Sequence, residues 1–346
     1  MASGSALLAE PLRIATYAAP LSRDGPGLLL RDILKAEDNQ LASIVQIIRK
    51  VSPDILLLTD FDYDLDGLAL SAFADALDAG YTTQFAWPPN TGMATGLDLD
   101  ADGYLGDARD AMGYGRFAGD GGMALLSRLP VLADEARDLS DVLWRDVPDA
   151  TLPTHPDAAS VYGVLRLSHS GHWMVPVALP DGGQITLLAF SASPPVFDGP
   201  EDRNGLRNRD ELMLWSHVLD SVYGPAPEQF VVLGNSNLDP VDGDGYADAM
   251  AAFLSDPRLQ DPAPRSDGGA LAADAPHGGD PATDTADWPD TGPGNLRVSY
   301  VLPSANLTVT GAGVFWPAPD TADADLLGSD GLATGAHRLV WVDIAR

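Results

Sequence analysis

The stretch FVVLGNSNLDP places two amides and an acid directly after a short apolar run. Phe230–Leu233 has the composition of a buried strand, Gly234 ends it, and Asn235 and Asn237 follow. Polar side chains at the end of a core strand commonly bind a ligand. An amide can donate and accept hydrogen bonds, but it cannot take up a proton near neutral pH as a carboxylate or histidine can. The stretch therefore predicts a polar site and leaves its general base unaccounted for.

Other predicted strands end in the same way. Tyr17 and Ala18 end the first apolar run, Asp60 ends the second, and Ser191 ends a later one. His337 follows Ala336 just before the last strand. Asp60, Ser191 and His337 are therefore further candidates for chemistry.

Two stretches contain the D-x-D-x-D-G start of a calcium loop, DFDYDLDG at 60–67 and DLDADG at 98–103. The twelfth position should be a bidentate Glu, but Phe73 and Arg109 occupy it. The first stretch also overlaps a strand end, so we do not expect it to bind calcium. Asp98, Asp100 and Asp102 remain a candidate calcium site. The alternative interpretation of these residues is a solvated acidic turn.

Several enzyme classes lack their signatures. The chain contains no cysteine, which excludes a cysteine nucleophile and thiolate metal sites. It has no G-x-S-x-G elbow, no P-loop and no G-x-G-x-x-G fingerprint, and its six histidines have no metal-helix spacing. The strand ends are therefore the main candidates for chemistry.

The pattern of apolar residues predicts the elements that position these ends. Helices are expected at 37–51, 68–77, 209–222 and 247–254, and strands at 12–18, 54–60, 122–131, 161–167, 173–179, 184–190, 230–233, 296–302, 307–315 and 339–344. This order indicates two packed, mainly antiparallel sheets with helices outside. We expect a flexible segment at 1–11 and one domain at 12–346, with 262–294 as a long surface loop.

The charge of the chain limits its partners. Fifty acids face twenty bases, giving a net charge of -30. Such a surface repels a polyanion, so nucleic-acid binding is disfavoured. An acidic surface selected for solubility or salt is favoured over a specific cationic partner. No apolar run is long enough to span a membrane, and residues 1–11 do not resemble a secretory signal. We expect a cytoplasmic protein or the mature form of an exported one.

The collinear motifs LRIATYA, PDILLLTDFDYD, LSRLPV, GNSNLDP, NLRVSYVLP and GAHRLVWVDI resemble the endonuclease/exonuclease/phosphatase superfamily. FDGPEDRNGLRNRDE at 197–211 is similar to a bacterial branch of it. The resemblance runs from about residue 12 to the C-terminus. It implies a four-layer α/β sandwich of two mixed sheets packed face to face, with a metal-dependent phosphoester hydrolase site at one edge.

Most of the family's site residues are replaced in this chain. The family's metal-binding Glu corresponds to Asp60, and the Asn of its D-x-N motif and its closing His correspond to Asn237 and His337. The Asp that activates the nucleophile corresponds to Asn235. The remaining family residues (Asn, Tyr, His, and the Asp of R-x-D-Y and of S-D-H) correspond to Ala18, Gly121, Ser191, Ser299 and Ala336.

These replacements predict a catalytically degenerate protein, a pseudoenzyme that acts as a binding or structural protein and whose partner would be another protein. The alternative is an active Mg²⁺- or Mn²⁺-dependent phosphatase, phosphodiesterase or nuclease with relocated ligands such as Asp62 or Asp239. A calcium-binding surface module is a weaker alternative. Arg203 and Arg207 of the FDGPEDRNG stretch are expected to pair with carboxylates.

Overall fold

The computed structural model describes residues 10–346. Its strands are β1 (Leu12–Tyr17), β2 (Ile55–Phe61), β3 (Thr83–Phe85), β4 (Gly122–Ser127), β5 (Arg137–Asp138), β6 (Gly171–Ala178), β7 (Gln184–Ser191), β8 (Phe230–Asn235), β9 (Ala286–Asp287), β10 (Asn295–Leu296), β11 (Ser299–Pro303), β12 (Val309–Val314) and β13 (Val340–Ile344). Its α-helices are α1 (Leu28–Lys35), α2 (Asn39–Val51), α3 (Leu68–Leu77), α4 (Ala158–Val164), α5 (Arg203–Leu219), α6 (Ala247–Leu254) and α7 (Asp267–Leu271).

The strands form two large mixed sheets. The first has the order β12-β13-β1-β2-β4-β3 and the second β11-β8-β7-β6-β5, while β9 and β10 form a small pair. Each large sheet has one parallel pair, β1 with β2 and β7 with β8, and its other pairs are antiparallel. This is the predicted mixed α/β fold.

The alternating direction of successive side chains along each strand explains the layers. In β8, Val231 and Leu233 belong to the core between the two sheets, whereas Phe230 and Val232 face the other side. Successive side chains of a strand point to opposite faces, so one apolar run fills two layers. The outer core of the second sheet is completed by α5 and α6, and α1–α3 pack on the first sheet.

Two predicted strands differ from the structure. The 296–302 segment is divided between β10 and β11, which belong to different sheets. The 161–167 segment was expected to be the first of three consecutive strands, but it contains the end of α4. Val161 and Tyr162 are both buried, which a half-buried strand would not allow for neighbouring side chains. Tyr162 packs edge-on against Trp144 and donates a 2.7 Å hydrogen bond to the Pro153 carbonyl. These tertiary contacts favour the short helix over the strand pattern.

The 262–294 segment has more structure than a surface loop. It contains α7, a 3₁₀ turn at 281–283 and β9. Ala282 and Ala286 are buried within it, and the Arg338 amide donates a 2.8 Å hydrogen bond to the Thr285 carbonyl. This segment therefore packs beside the strand that follows His337. The predicted flexible segment 1–11 lies mostly outside the described residues. Within residues 10–346, no helix has the length and apolar character needed to cross a membrane.

Gly234 is required where β8 ends. Its φ is 142°, and a Cβ atom there would lie 1.9 Å from the Phe190 carbonyl oxygen of β7. Only a residue without a side chain permits this approach.

We therefore expect Gly234→Ala to lower the free energy of unfolding by more than the roughly 1–3 kcal/mol of backbone strain alone. Gly182→Ala is the matched control, because Gly182 also has a positive φ (89°) but no atom within 4 Å of its Cβ position. Urea unfolding followed by tryptophan fluorescence measures both. Equal losses in the two variants would contradict the close approach.

Candidate functional site

The predicted site residues lie at one edge of the two sheets. Here the carboxyl ends of β1, β2, β7 and β8 meet the amino ends of β4, β11 and β13. The two sheets touch at this edge, since the Ser191 hydroxyl is 3.5 Å from the Thr59 carbonyl oxygen. The edge contains Ala18, Asp60, Gly121, Ser191, Asn235, Asn237, Ser299, Ala336 and His337.

The two amides after β8 hydrogen-bond to each other. The Asn235 side-chain amide donates to Asn237 Oδ1 at 3.1 Å, and the Asn237 main-chain N–H donates to Asn235 Oδ1 at 3.3 Å. Asn237 also donates from Nδ2 to the Ala192 carbonyl at 2.9 Å, which joins this turn to the end of β7. Asn237 has a φ of 52°, a conformation that asparagine tolerates better than most residues. The pair therefore stabilises the turn and carries no charge.

Asp60 supplies a carboxylate at this edge. It is partly buried and lines a cavity of about 390 Å³, together with Arg116, Gly121, His169 and others. We call this the edge cavity. A Cβ atom on Gly121 would lie 2.9 Å from Asp60 Oδ1, so these two residues are in direct contact. Burial, with the nearby Asp62 and Asp120 carboxylates, raises the pKa of Asp60 to about 7.

The neighbouring acids hold local structure. Both oxygens of Asp62 accept from main-chain N–H groups, those of Arg23 at 2.9 Å and Gly121 at 3.1 Å. Asp120 accepts from the Ser22 hydroxyl at 2.6 Å and from the Arg116 side chain at 3.0 Å. Asp239, the other suggested replacement ligand, accepts from three main-chain amides. These hydrogen bonds compete with metal coordination.

His337 lies beside an aromatic ring. Its centroid is 5.1 Å from that of Trp288, with the rings nearly perpendicular. The Nδ1 atom is buried without a hydrogen-bond partner among residues 10–346, and Ala336 precedes it. Burial, together with the Arg338 guanidinium, lowers the pKa of His337 to about 4. His337 is thus a neutral imidazole near pH 7, without a carboxylate on Nδ1 to raise its basicity.

Comparison with known proteins assigns the chain to a family. The model described as "Endonuclease/Exonuclease/phosphatase family" matches residues 33–330. The chain belongs to this family. A comparison with curated proteins found no match.

Several solved structures share the fold. An endonuclease/exonuclease/phosphatase from Beutenbergia cavernae is 18% identical, with a TM-score of 0.56 over 97% of this chain and 72% of that one. Sphingomyelinase C from Streptomyces griseocarneus is 14% identical, with a TM-score of 0.53 over 97% and 99%. A mannosyl-6-phosphatase from Bacteroides thetaiotaomicron is 13% identical, with a TM-score of 0.51 over 97% and 100%. These identities support a shared fold only.

The divalent metal implied by the family does not fit the residues at this edge. Among residues 10–346, no group of three carboxylate or imidazole ligand atoms within 4.8 Å of one another includes Asp60. Asn235 and Asn237 are hydrogen-bonded to each other, and the side chains of Ala18 and Ala336 have no atom that can coordinate a metal. Asp60 would have to hold the ion almost unaided.

Asp98, Asp100 and Asp102 do form such a group. Their oxygens also bond to the loop's own amides. Asp98 accepts from the N–H groups of Asp102 at 3.1 Å and Gly103 at 2.9 Å, and Asp102 accepts from Tyr104 N at 2.8 Å. An acidic turn closed by its own amides accounts for this arrangement.

The 203–211 helix residues contribute buried groups that sequence reasoning did not identify. The Arg207 guanidinium donates to the carbonyls of Leu167, Met112, Arg166 and Ser168 at 2.7–3.0 Å, and Arg203 donates to Leu99 O at 2.8 Å. The expected pairing of these arginines with carboxylates was therefore wrong in detail. Their partners are carbonyl oxygens, which no sequence pattern marks.

Glu211 and His169 lie beneath the same edge. Glu211 accepts from the main-chain N–H groups of His169 at 2.5 Å and Ser193 at 2.7 Å. Burial raises the pKa of Glu211 to about 7, opposed by Arg207 and these amides, and burial lowers the pKa of His169 to about 3. His169 lines the edge cavity as a neutral ring. The R-N-x-D-E stretch at 207–211 was the available signal for Arg207 and Glu211, but the helix predicted at 209–222 excluded Arg207, whereas α5 begins at Arg203.

The raised pKa of Asp60 predicts a pH-dependent stability. An acid whose pKa is higher in the folded than in the unfolded protein costs stability as pH rises. The penalty begins near pH 4 and is complete above about 7. Asp60→Asn should therefore be more stable than the parent by about 1–3 kcal/mol near pH 8, with a smaller gain near pH 4. Urea unfolding across this range measures it, with the exposed Asp66→Asn as control. A gain independent of pH would contradict the shift.

The self-bonded acidic turn predicts that calcium adds little. We expect calorimetric titration with millimolar calcium to give no heat above dilution, because Arg109 replaces the bidentate Glu and the Asp98 and Asp102 oxygens already accept from loop amides. Saturable heat that disappears in Asp100→Asn would contradict this interpretation and support the calcium-binding alternative.

Proposed function

We propose that this chain is a catalytically degenerate member of its family that acts as a binding protein. One observation carries the proposal: the edge has an amide at Asn235 and a methyl group at Ala336, so neither the end of β8 nor the residue before His337 supplies a carboxylate. The resemblance to active members implies an acid at both positions. Losses within one catalytic unit act together and not additively.

The chemistry of phosphoester hydrolysis supports this reading. The reaction needs a base to activate water and a cation to offset developing negative charge. Asn235 cannot accept the proton. His337 is neutral but weakly basic, and a protein group with so low a pKa is a poor base near pH 7. Asp60 has a raised pKa, yet it lacks companion ligands to hold a cation.

The retained scaffold favours binding over simple decay of the whole region. The Asn235–Asn237 turn is closed by hydrogen bonds, and the edge cavity of about 390 Å³ lies next to Asp60. A net charge of -30 disfavours a nucleic-acid ligand. We therefore propose a protein or small-molecule partner at this edge.

A second candidate function rests on Asp60. Its carboxylate has no hydrogen-bond donor within residues 10–346 and is repelled by Asp62 and Asp120. A bound cation would relieve that repulsion, as in an active hydrolase with relocated ligands. The amide contacts of Asp62 weigh against it, because both of its oxygens already accept a hydrogen bond and have fewer free lone pairs for an ion.

Hydrolase assays test the proposal directly. We expect no rate above the blank on p-nitrophenyl phosphate or bis(p-nitrophenyl) phosphate with Mg²⁺ or Mn²⁺. Asp60→Ala, purified in parallel, controls for contaminating enzymes. A metal-dependent rate in the parent that Asp60→Ala abolishes would overturn the proposal, and manganese binding lost in Asp60→Asn would support the hydrolase alternative.

A further inference from the structure

A second cavity adjoins the edge cavity. It has a volume of about 410 Å³ and lies against the first turn of α5, the loop around Leu99 and the turn at Phe197. We call it the α5 cavity. Tyr114 and His169 line both cavities, so the two are neighbours. Its volume falls within the roughly 300–1,000 Å³ of small-molecule sites.

Cationic groups converge on the α5 cavity in an otherwise acidic protein. Arg109, Arg203 and Arg207 line it, although the chain has only twenty Lys and Arg residues. Arg207 is buried and donates its hydrogen bonds to neutral carbonyl oxygens, so its positive charge is not paired with a carboxylate and acts on the cavity. Arg203 makes one hydrogen bond, to Leu99 O, and the nearest acid oxygen to Arg109 is that of Asp100 at 4.0 Å. Both side chains retain N–H groups that can donate to a ligand.

Asp100 offsets part of this charge through its 4.0 Å ion pair with Arg109, whereas two other nearby acids accept from main-chain groups. Asp110 accepts from the main-chain N–H groups of Leu99 and Gly106, both at 2.7 Å, and Asp198 accepts from the amide of Asn204. Their oxygens are therefore directed to main-chain donors. The amino-terminal end of the 17-residue helix α5 adds partial positive charge on the same side.

Part of the wall of the α5 cavity is apolar. Leu99, Ala111 and Leu165 are buried and form part of its wall. Two aromatic rings stand at its rim: Tyr114 is 59% exposed and Phe197 is 77% exposed. Phe197 also has a φ of 70°, a left-handed conformation that costs a non-glycine residue roughly 1–2 kcal/mol. An exposed aromatic ring held in a costly backbone conformation beside a cavity is explained if it covers a ligand.

We propose that the α5 cavity binds a small organic anion with a planar apolar part, its ring between the apolar wall and Phe197 and its negative group at Arg203 and Arg109. This inference rests on the proposed function, because it names the ligand class that a binding protein of this shape would take. It also gives the 197–211 motif a role beyond scaffolding. Arg203 and Asn204 line the cavity, while residues further along α5 hold the loops.

Fluorescence titration with 8-anilinonaphthalene-1-sulfonate, an aromatic anion, tests the proposal. We expect saturable binding, with Arg203→Ala weakening it about ten-fold, which corresponds to about 1.4 kcal/mol. Phe197→Ala should weaken it too. Because Phe197 is exposed, Phe197→Ala should fold normally. It therefore still tests the proposal if Arg203→Ala, which loses the hydrogen bond to Leu99 O, perturbs the loop. Arg265→Ala is the matched control, because Arg265 is an exposed arginine paired with Asp280 outside the cavity.

Two further probes test the apolar ring and the negative charge separately: N-phenyl-1-naphthylamine, which is neutral, and inorganic phosphate, which has no ring. We expect each to bind at least about ten-fold more weakly than the aromatic anion. Equal binding of the neutral ring, displacement by phosphate at similar concentration, or unchanged affinity in both Arg203→Ala and Phe197→Ala would each overturn the proposal. So would the absence of saturable binding.

The titration is made with a chelator present and repeated on Asp60→Ala. Probe binding without metal and without Asp60 can then fail or succeed independently of hydrolase activity. A metal-dependent rate lost in Asp60→Ala would remove the proposed function, whereas unchanged probe affinity in the cavity variants would remove the ligand assignment alone.

Discussion

The edge of this fold depends on the hydrogen bonds that the buried guanidinium of Arg207 donates. It donates to four carbonyl oxygens from the 112 and 166–168 segments, which come from distant parts of the chain. Asn208 on the same helix donates to the carbonyls of Ser193 and Ser236 at 2.7 and 2.6 Å, and Asp210 accepts from the Trp144 indole at 2.7 Å. Hydrogen bonds from a charged group to buried carbonyls are strong, and leaving such carbonyls unpaired is costly. One helix thus fixes the loops that surround the candidate site.

The apolar patterns were sufficient to predict most of the fold. The helix at 247–254 follows from its apolar stripe, and the strand at 230–233 follows from a short continuous apolar run that is buried on both faces. The 161–167 segment could not be predicted in this way, because contacts of Tyr162 with distant residues decide its conformation. The ordered part of 262–294 was missed for a related reason. Short elements held by main-chain contacts to other segments carry no periodic signal.

Sequence patterns indicated which strand ends carry the candidate site residues, but they held no information on how those side chains are hydrogen-bonded. Strand ends located Asp60, Asn235 and His337 at one edge, but whether a side chain is free or already bonded depends on neighbours remote in sequence. Asp62 is an example: in sequence it is a spare carboxylate near Asp60, whereas in the structure both of its oxygens accept from main-chain amides. The state of His337 depends likewise on Trp288 and Arg338, which bury it and oppose its protonation.

The contacts of α5 have a consequence for the protein's surface. Because the loops are held by charged and polar side chains bonded to main-chain groups inside the protein, dissolved ions screen these contacts far less than they screen surface pairs. Changes in surface charge, or in the salt around the protein, therefore act weakly on the loop geometry. The sequence is free to accumulate aspartate over its exterior while the scaffold of the edge persists, which reconciles an excess of thirty acids with an ordered interior.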